Sequence, residues 1–224
     1  MELVSSLHGT LRAALAPGFE MRWWRRLLDR GGTGADLDRP RAAALSRWLG
    51  LSRRAAGRLA RELASMKPAA LLSELDGSGI ELDAWHARGY PARMRELADP
   101  PPVLFRTGAL LPCDENAIGV VGGSTCAAGA APYAMRMAES VAFDLSRAGI
   151  TVVLGLITPT VERIAGAVAD RGRVLGVVDS DLARYAAARR EPDPRAADGH
   201  AVFVSERVPR APPDVPGAVA RLVA

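Results

Sequence analysis

Two short stretches combine backbone and side chains suited to holding a phosphate. Gly122, Gly123, Ser124 and Thr125 follow the apolar run Ile118–Val121, and Gly155 and Thr158 follow the apolar run Thr151–Leu154. A glycine-rich turn between a strand and a helix leaves backbone N–H groups free and aims a helix N-terminus at the same point. Both features suit an anion. The hydroxyls of Ser124, Thr125 and Thr158 add neutral groups that position a phosphate without supplying charge. A third feature is cationic: Arg54, Arg58 and Arg61 recur at helical spacing, which lines them up on one face. Each feature has a second use open to it. The glycine turn can simply join a strand to a helix. The arginine row can be a solvated face, since Lys67 is the only lysine and arginine is this chain's ordinary cation.

Other chemistry is poorly served. Gly122 and Gly123 are adjacent and the next glycine is Gly129, so G-x-G-x-x-G does not fit, and no acid closes a second strand where a dinucleotide ribose needs one. Glu162 and Glu206 are isolated carboxylates, with no histidine or cysteine at a spacing that suggests nucleophile and base. His8, His86 and His200 are scattered, Cys113 and Cys126 fall in different loops, and no C-x-x-C exists. The expectation is a non-enzyme with no catalytic residues, no metal, no structural disulfide and no cofactor.

The elements that must position these groups can be read from periodicity. Ile118–Val121, the glycine turn, a helix from Pro132 and a strand at Thr151–Leu154 form a parallel βαβ unit of about forty residues. On that helix Met135, Ala138, Ala142 and Leu145 share the inner stripe and Gly149 ends it. Both strands read as buried. Thr158-Pro159 is a cap with proline at the first helical position, and the helix it opens ends near Gly172. Val174–Val178 and Ala201–Val204 are further strands, with a helix over Asp181–Arg190 and a loop over residues 191–199. Strands alternating with helices at this rhythm give a doubly wound α/β domain.

Upstream the pattern is helical. A lead-in with a short helix at Leu11–Leu15 precedes EMRWWRRLLDR, where Trp23, Trp24, Leu27 and Leu28 oppose Arg22, Arg25 and Arg26. Helices over Arg41–Leu49 and Arg53–Met66 are joined by Gly50-Leu51-Ser52, with Ser52 the N-cap of the second. A shorter helix at Ala69–Leu75 follows. The tryptophans sit at helical spacing and read as core in preference to base-stacking platforms. Gly77–Gly79 is a hinge. Ile80–Trp85 and Val103–Arg106 are short strands either side of a small helix after Tyr90-Pro91. Three segments result: a helical module over 1–76, an α/β domain over 77–210 and a proline-rich tail over 211–224.

Charge follows the same division. Residues 1–68 hold 13 Arg and Lys against 6 Asp and Glu, whereas the remainder holds 16 against 19, within a net charge of +4. The basic module is the one suited to nucleic acid. No run approaches the roughly 18–20 apolar residues of a membrane span, and the N-terminus lacks a basic region before an apolar one. A cytoplasmic protein that does not enter the membrane is expected.

Taken in order, these residues resemble the DprA/Smf family of DNA-processing proteins. Tyr90-Pro-Ala-Arg-Met-Arg-Glu-Leu-Ala-Asp-Pro-Pro-Pro-Val-Leu-Phe-Arg-Thr-Gly-Ala-Leu is similar to the family's Y-P-x-x-L-x-x-i-x-D-P-P-x-v-L-y-x-x-G-x-L segment. Val120-Val121-Gly122 resembles its v-V-G-S-R strand end, and Pro132-Tyr133 its x-Y-G helix start. Gly155-Leu156 resembles its S-G-x-A-x-G-I-D turn, and Ser205-Glu206 its S-E. The resemblance implies a small SAM-like or helix-hairpin-helix-like module ahead of a truncated Rossmann-like domain, often dimeric through that domain. It also implies a protein that binds single-stranded DNA without cutting it and helps load the RecA recombinase in natural transformation.

The pocket departs from the family pattern. Gly122-Gly123-Ser124 stands where the family has G-S-R, and Gly155-Leu156-Ile157-Thr158-Pro159-Thr160-Val161 stands where it has G-x-A-R-G-I-D. The family's F-P-x-R-N-R-I-I-A-G-L-S segment does not follow Ser205-Glu206, so a C-terminally shortened member is expected. Losing those cations weakens the counterion release that drives DNA binding. The expected site is therefore Gly122, Gly123, Ser124, Thr125, Gly155 and Thr158, helped by Arg54, Arg58 and Arg61. The other reading is a fold that has lost DNA and partners another protein.

Overall fold

A computed structural model describes residues 2–121, 131–188 and 194–209. The chain divides into two units, Met1–Leu104 and Phe105–Ala224.

The first unit begins with six helices: α1 (Glu2–Leu15), α2 (Met21–Asp29), α3 (Gly34–Asp38), α4 (Ala42–Leu49), α5 (Arg53–Ser65) and α6 (Pro68–Leu75). Their apolar stripes meet in one core around Trp24, Leu27, Leu37, Leu45, Leu49 and Leu63. Trp24 and Trp48 are buried within it, as their helical spacing implies. Ser52 caps α5, its hydroxyl accepting the Ala55 N–H at 3.3 Å. The turn before it needs glycine, because Gly50 adopts a φ of 70°.

Two helices differ from the sequence reading. α1 starts at Glu2 where only Leu11–Leu15 was expected, and α3 was not expected at all. Gly9 is the reason for the first difference: glycine weakens a helical pattern in sequence, but here it lets α1 cross α3. A Cβ on Gly9 would overlap the Gly34 carbonyl oxygen and stand 2.6 Å from the Asp38 nitrogen. That close packing stabilises both helices more than propensity disfavours them.

After Gly77 and Gly79, both at positive φ, come β1 (Glu81–Ala84) and a single-turn helix, α7 (Ala92–Arg95). The Tyr90–Pro102 stretch has a clear local role. Tyr90 is 1% exposed, and its hydroxyl donates to the Pro101 carbonyl at 2.8 Å. The Arg95 guanidinium lies over the rings of both Trp85 and Tyr90 and donates to the Trp85 carbonyl at 3.0 Å. Arg25 of α2 donates to the carbonyls of Arg95 and Leu97, and Trp24 meets Trp85 edge-on at 6.3 Å. The stretch is thereby fastened to the helices before it.

Strand β2 (Val103–Thr107) spans the boundary between the units. The second unit then contributes β3 (Ile118–Val120), α8 (Ala131–Arg147), β4 (Val152–Gly155), α9 (Pro159–Ala169), β5 (Val174–Val177), α10 (Leu182–Ala188), α11 (Pro194–Ala197) and β6 (Ala201–Ser205). The six-stranded sheet has the order β1-β2-β6-β5-β4-β3. β3 to β6 are mutually parallel, with Ile118 opposite Val152, Val152 opposite Val174, and Val174 opposite Ala201. β2 runs antiparallel to β6, with Phe105 opposite Ser205. The α/β class with a parallel sheet and a preceding helical module is as expected, and the antiparallel β2 makes that sheet mixed. Every residue of β5 and β6 is buried, which explains their unbroken apolar runs. Gly176 in β5 makes room: a Cβ there would lie 2.6 Å from Leu156 Cδ1 and 2.8 Å from Phe203 Cδ1.

β3 is not the buried strand its composition suggests. It sits at the sheet edge, where Ile118 is 43% exposed. Burial of a short apolar run depends on whether the chain places a neighbour on both sides, and the run itself does not encode this. α11 likewise lies inside residues 191–199, expected to be loop, because Pro194 is tolerated in a first helical turn.

At the N-terminal ends of the parallel strands, Asp114 ties three segments together. Its carboxylate accepts from Arg173 at 2.6 Å (Nε to Oδ1) and 2.5 Å (Nη2 to Oδ2), and from the Thr151 hydroxyl at 3.0 Å. Arg173 also donates to the Ala109 and Gly199 carbonyls. The loop entering β3 is thus braced to the starts of β4 and β5.

Candidate nucleic-acid interface

The opposite, C-terminal ends of the strands are where parallel sheets place ligands. Gly155 ends β4, and the Ile157 N–H donates to its carbonyl at 2.9 Å, closing a three-residue turn over buried Leu156. Thr158 follows as the N-cap of α9, its hydroxyl oxygen accepting the Val161 N–H at 3.3 Å. Gly155 and Thr158 therefore share one loop, as the sequence implies, and Thr158 has a structural duty besides any ligand contact. Thr158→Ala is expected to lower stability by about 1 kcal/mol, with Thr158→Ser close to the parent, as read by thermal unfolding. Gly122, Gly123, Ser124 and Thr125 lie outside the described residues.

Beside this loop is an open cleft of about 330 Å³. Three carboxylates line it: Glu162 from the first turn of α9, and Asp179 and Asp181 from the loop after β5. Its two cations are engaged. Arg207 stands 3.2 Å from Asp179 Oδ1, and Arg184 stands 3.8 Å from Asp181 Oδ2. Asp181 is 4% exposed and also accepts the Arg184 N–H at 2.8 Å, so it caps α10. Sequence reasoning treated Glu162 as isolated and passed over Asp179 and Asp181. They come together only because α9 and the β5–α10 loop meet at one end of the sheet. The available signal was the position of Asp179 and Asp181 directly after a strand and of Glu162 in the first turn of the helix that follows one. Three carboxylates against two paired guanidiniums do not favour a phosphodiester here. Among the described residues no group of three or more His, Cys, Asp or Glu is placed to hold a metal ion. No helix among them is long and apolar enough to cross a membrane.

The helical unit differs in its electrostatics. Several of its arginines are committed to backbone carbonyls. Arg12 donates to Leu63 at 2.8 Å and Met66 at 2.7 Å, Arg26 to Leu49 at 3.0 Å, and Arg30 to Arg47 at 2.7 Å. These close helix ends whose carbonyls lack partners within the helix. Arg54, Arg58 and Arg61 do none of this. All three are exposed on α5, with no hydrogen bond or ion pair to any described residue. Their spacing sets them about 6 Å and 4.5 Å apart along the axis, within a stripe about 60° wide. Leu59 and Leu63 hold the opposite face of α5 in the core, so the row points to solvent. The row lies in the first unit, whereas Gly155 and Thr158 lie in the second.

Comparison with known proteins agrees with this architecture. The sequence model of the DNA recombination-mediator protein A family matches residues 82–221. The crystal structure of DNA processing protein A (DprA) from Streptococcus pneumoniae superposes with a TM-score of 0.61 at 17% identity, covering 92% of this chain and 69% of that one. At that identity the likeness is one of fold. No curated protein matches the sequence. The family match runs through β1, the Tyr90–Leu110 stretch and every parallel strand, more than half of the residues, and this chain belongs to the DNA recombination-mediator protein A family.

Proposed function

We propose that this chain is a non-catalytic, single-stranded DNA-binding recombination mediator whose main phosphate contact is the α5 arginine row. Membership of a recombination-mediator family supports the DNA partner. The observation that carries the choice of surface is the contrast between arginines: those of the strand-end cleft are paired, and Arg54, Arg58 and Arg61 are not. Unpaired, exposed cations release phosphate counterions on binding without first breaking an ion pair. Gly122, Gly123, Ser124, Thr125, Gly155 and Thr158 then serve as secondary neutral contacts to the backbone of the strand. The activity requires no metal or cofactor. The proposed protein partner is the RecA recombinase, loaded in the course of transformation, with the protein acting in the cytoplasm.

The test is fluorescence anisotropy of a labelled oligonucleotide at several salt concentrations. Three phosphate contacts give a slope of log K against log salt near −2, from about −0.7 per contact on single strands. Changing Arg54, Arg58 and Arg61 together to glutamate is expected to abolish binding, and each single alanine change should flatten the slope by about 0.7. Binding that is unchanged in the triple variant sinks this assignment. Absence of binding at low salt favours the second reading, a fold that has exchanged DNA for a protein partner, which the acidic strand-end cleft supports.

A further inference from the structure

One apolar flank of the α/β unit has no neighbour among the described residues. Ile118 and Val121 at the β3 edge, and Tyr133, Met137 and Val141 on α8, are all exposed, Val121 and Tyr133 by 69% and 63%. The three α8 residues recur every fourth position and form one stripe. Ala142 packs inward against the sheet, and the Arg171 guanidinium, beside the end of α9, lies 5.2 Å from the centre of the Phe143 ring. The stripe is therefore on the flank turned away from α9, toward the β3 edge. Folded chains rarely leave so continuous an apolar surface uncovered.

The chain's own C-terminal residues fit this flank in position, length and pattern. β3 to β6 are parallel, so the chain leaves β6 at the same end of the sheet where β3 stops and α8 begins. Val208 is still buried, and residues 210–224 lie outside the described structure. β6 and β3 are three strand spacings apart, about 14 Å. Residues 210–216 hold Pro212, Pro213 and Pro216, and seven residues of extended, proline-rich chain reach about 22 Å. The crossing is within that reach. Beyond it, Val219, Leu222 and Val223 have the i, i+3, i+4 spacing of one helical face, with Arg221 opposite. Residues 217–224 as a helix measure about 12 Å, the same as the step from Tyr133 to Val141 along α8.

We propose that residues 217–224 dock within the same chain against the α8 stripe, with residues 210–216 crossing the C-terminal ends of the strands as a strap. The contact does not depend on DNA binding. The test uses the full chain with Cys113→Ser and Cys126→Ser, so that only introduced thiols react. Met137→Cys with Leu222→Cys, oxidised by diamide at low protein concentration, should form a disulfide within one chain at least about tenfold faster than Asp198→Cys with Leu222→Cys. Asp198 is the control because it is exposed just ahead of β6, at the other end of the sheet. Mass under non-reducing conditions and a count of free thiols read the result. Independently, trypsin cleavage after Arg221 should quicken at least about tenfold in Val219→Asp with Val223→Asp, and equally in Met137→Glu. The tail variant alters only residues beyond β6, so its result stands even where Met137→Glu fails to fold. Equal disulfide rates at Met137 and Asp198 overturn the proposal, as does cleavage indifferent to the tail changes. A disulfide that joins two chains also overturns it, in favour of a second copy on the stripe.

Discussion

Asp114→Ala is expected to destabilise the α/β unit by about 3–5 kcal/mol at neutral pH. The side chains of Asp114 and Arg173 are 6% and 11% exposed, so removing the carboxylate leaves a guanidinium confined without its counter-charge. The Thr151 hydroxyl loses its acceptor in the same step. A control separates the pair from the site: Asp114→Leu with Arg173→Met together should cost much less than Asp114→Ala, because no buried charge is then left alone. Urea denaturation of the three proteins decides the matter. Equal losses in the single and the double variant would show that packing alone is at stake.

The same pair fixes the sign of an acid dependence. Burial pushes the Asp114 carboxyl up, but hydrogen bonds from Arg173, the Leu111 N–H and Thr151, with the Arg173 charge, outweigh it and hold the group below its ordinary value of 3.8. A depressed carboxyl stabilises the fold fully above the unfolded value, and that stabilisation is lost as pH falls from there through the folded value. The parent should therefore lose stability more steeply than Asp114→Asn as pH drops below about 4. Parallel pH profiles for the two proteins would remove Asp114 as the titrating group.

Gly9→Ala is the second large effect, expected to cost about 3 kcal/mol. The added methyl meets the Gly34 carbonyl and the Asp38 N–H, which are backbone groups, so relief requires α1 and α3 to move apart. Thr10 and Leu11, both 0% exposed, move with α1. Gly57→Ala provides the contrast. That glycine lies inside α5 with nothing within 4 Å of a built Cβ, so alanine there should stabilise by about 0.5–1 kcal/mol through helix propensity. Denaturation followed by tryptophan fluorescence reports both, since Trp24 and Trp48 lie in the core these helices share. A neutral Gly9→Ala would mean that the helix crossing is looser than described.

Local chemistry made much of this protein legible from its residues in order. The strand ends, the Ser52 and Thr158 caps, the Gly50 and Gly149 stops and the inward row of Leu59 and Leu63 depend on neighbours within a turn or two. The Tyr90–Leu110 stretch was enough to indicate the family. It is specific because a buried phenol and its carbonyl acceptor, Tyr90 and Pro101, stand at a fixed separation. The row of Arg54, Arg58 and Arg61 was likewise legible, because helical spacing alone places the three on one face. Tertiary structure decided what each element meets. Gly9 is a helix weakener in sequence and a crossing point in the fold, because only packing supplies the Gly34 carbonyl. Ile118 is apolar and yet exposed, because the sheet order leaves β3 at an edge. Glu162 is distant along the chain from Asp179 and Asp181, and the three become one acidic cleft where the parallel strands end. Which arginines are spent on carbonyls or carboxylates and which stay unpaired among the described residues follows from three-dimensional proximity, since one residue type provides all of them.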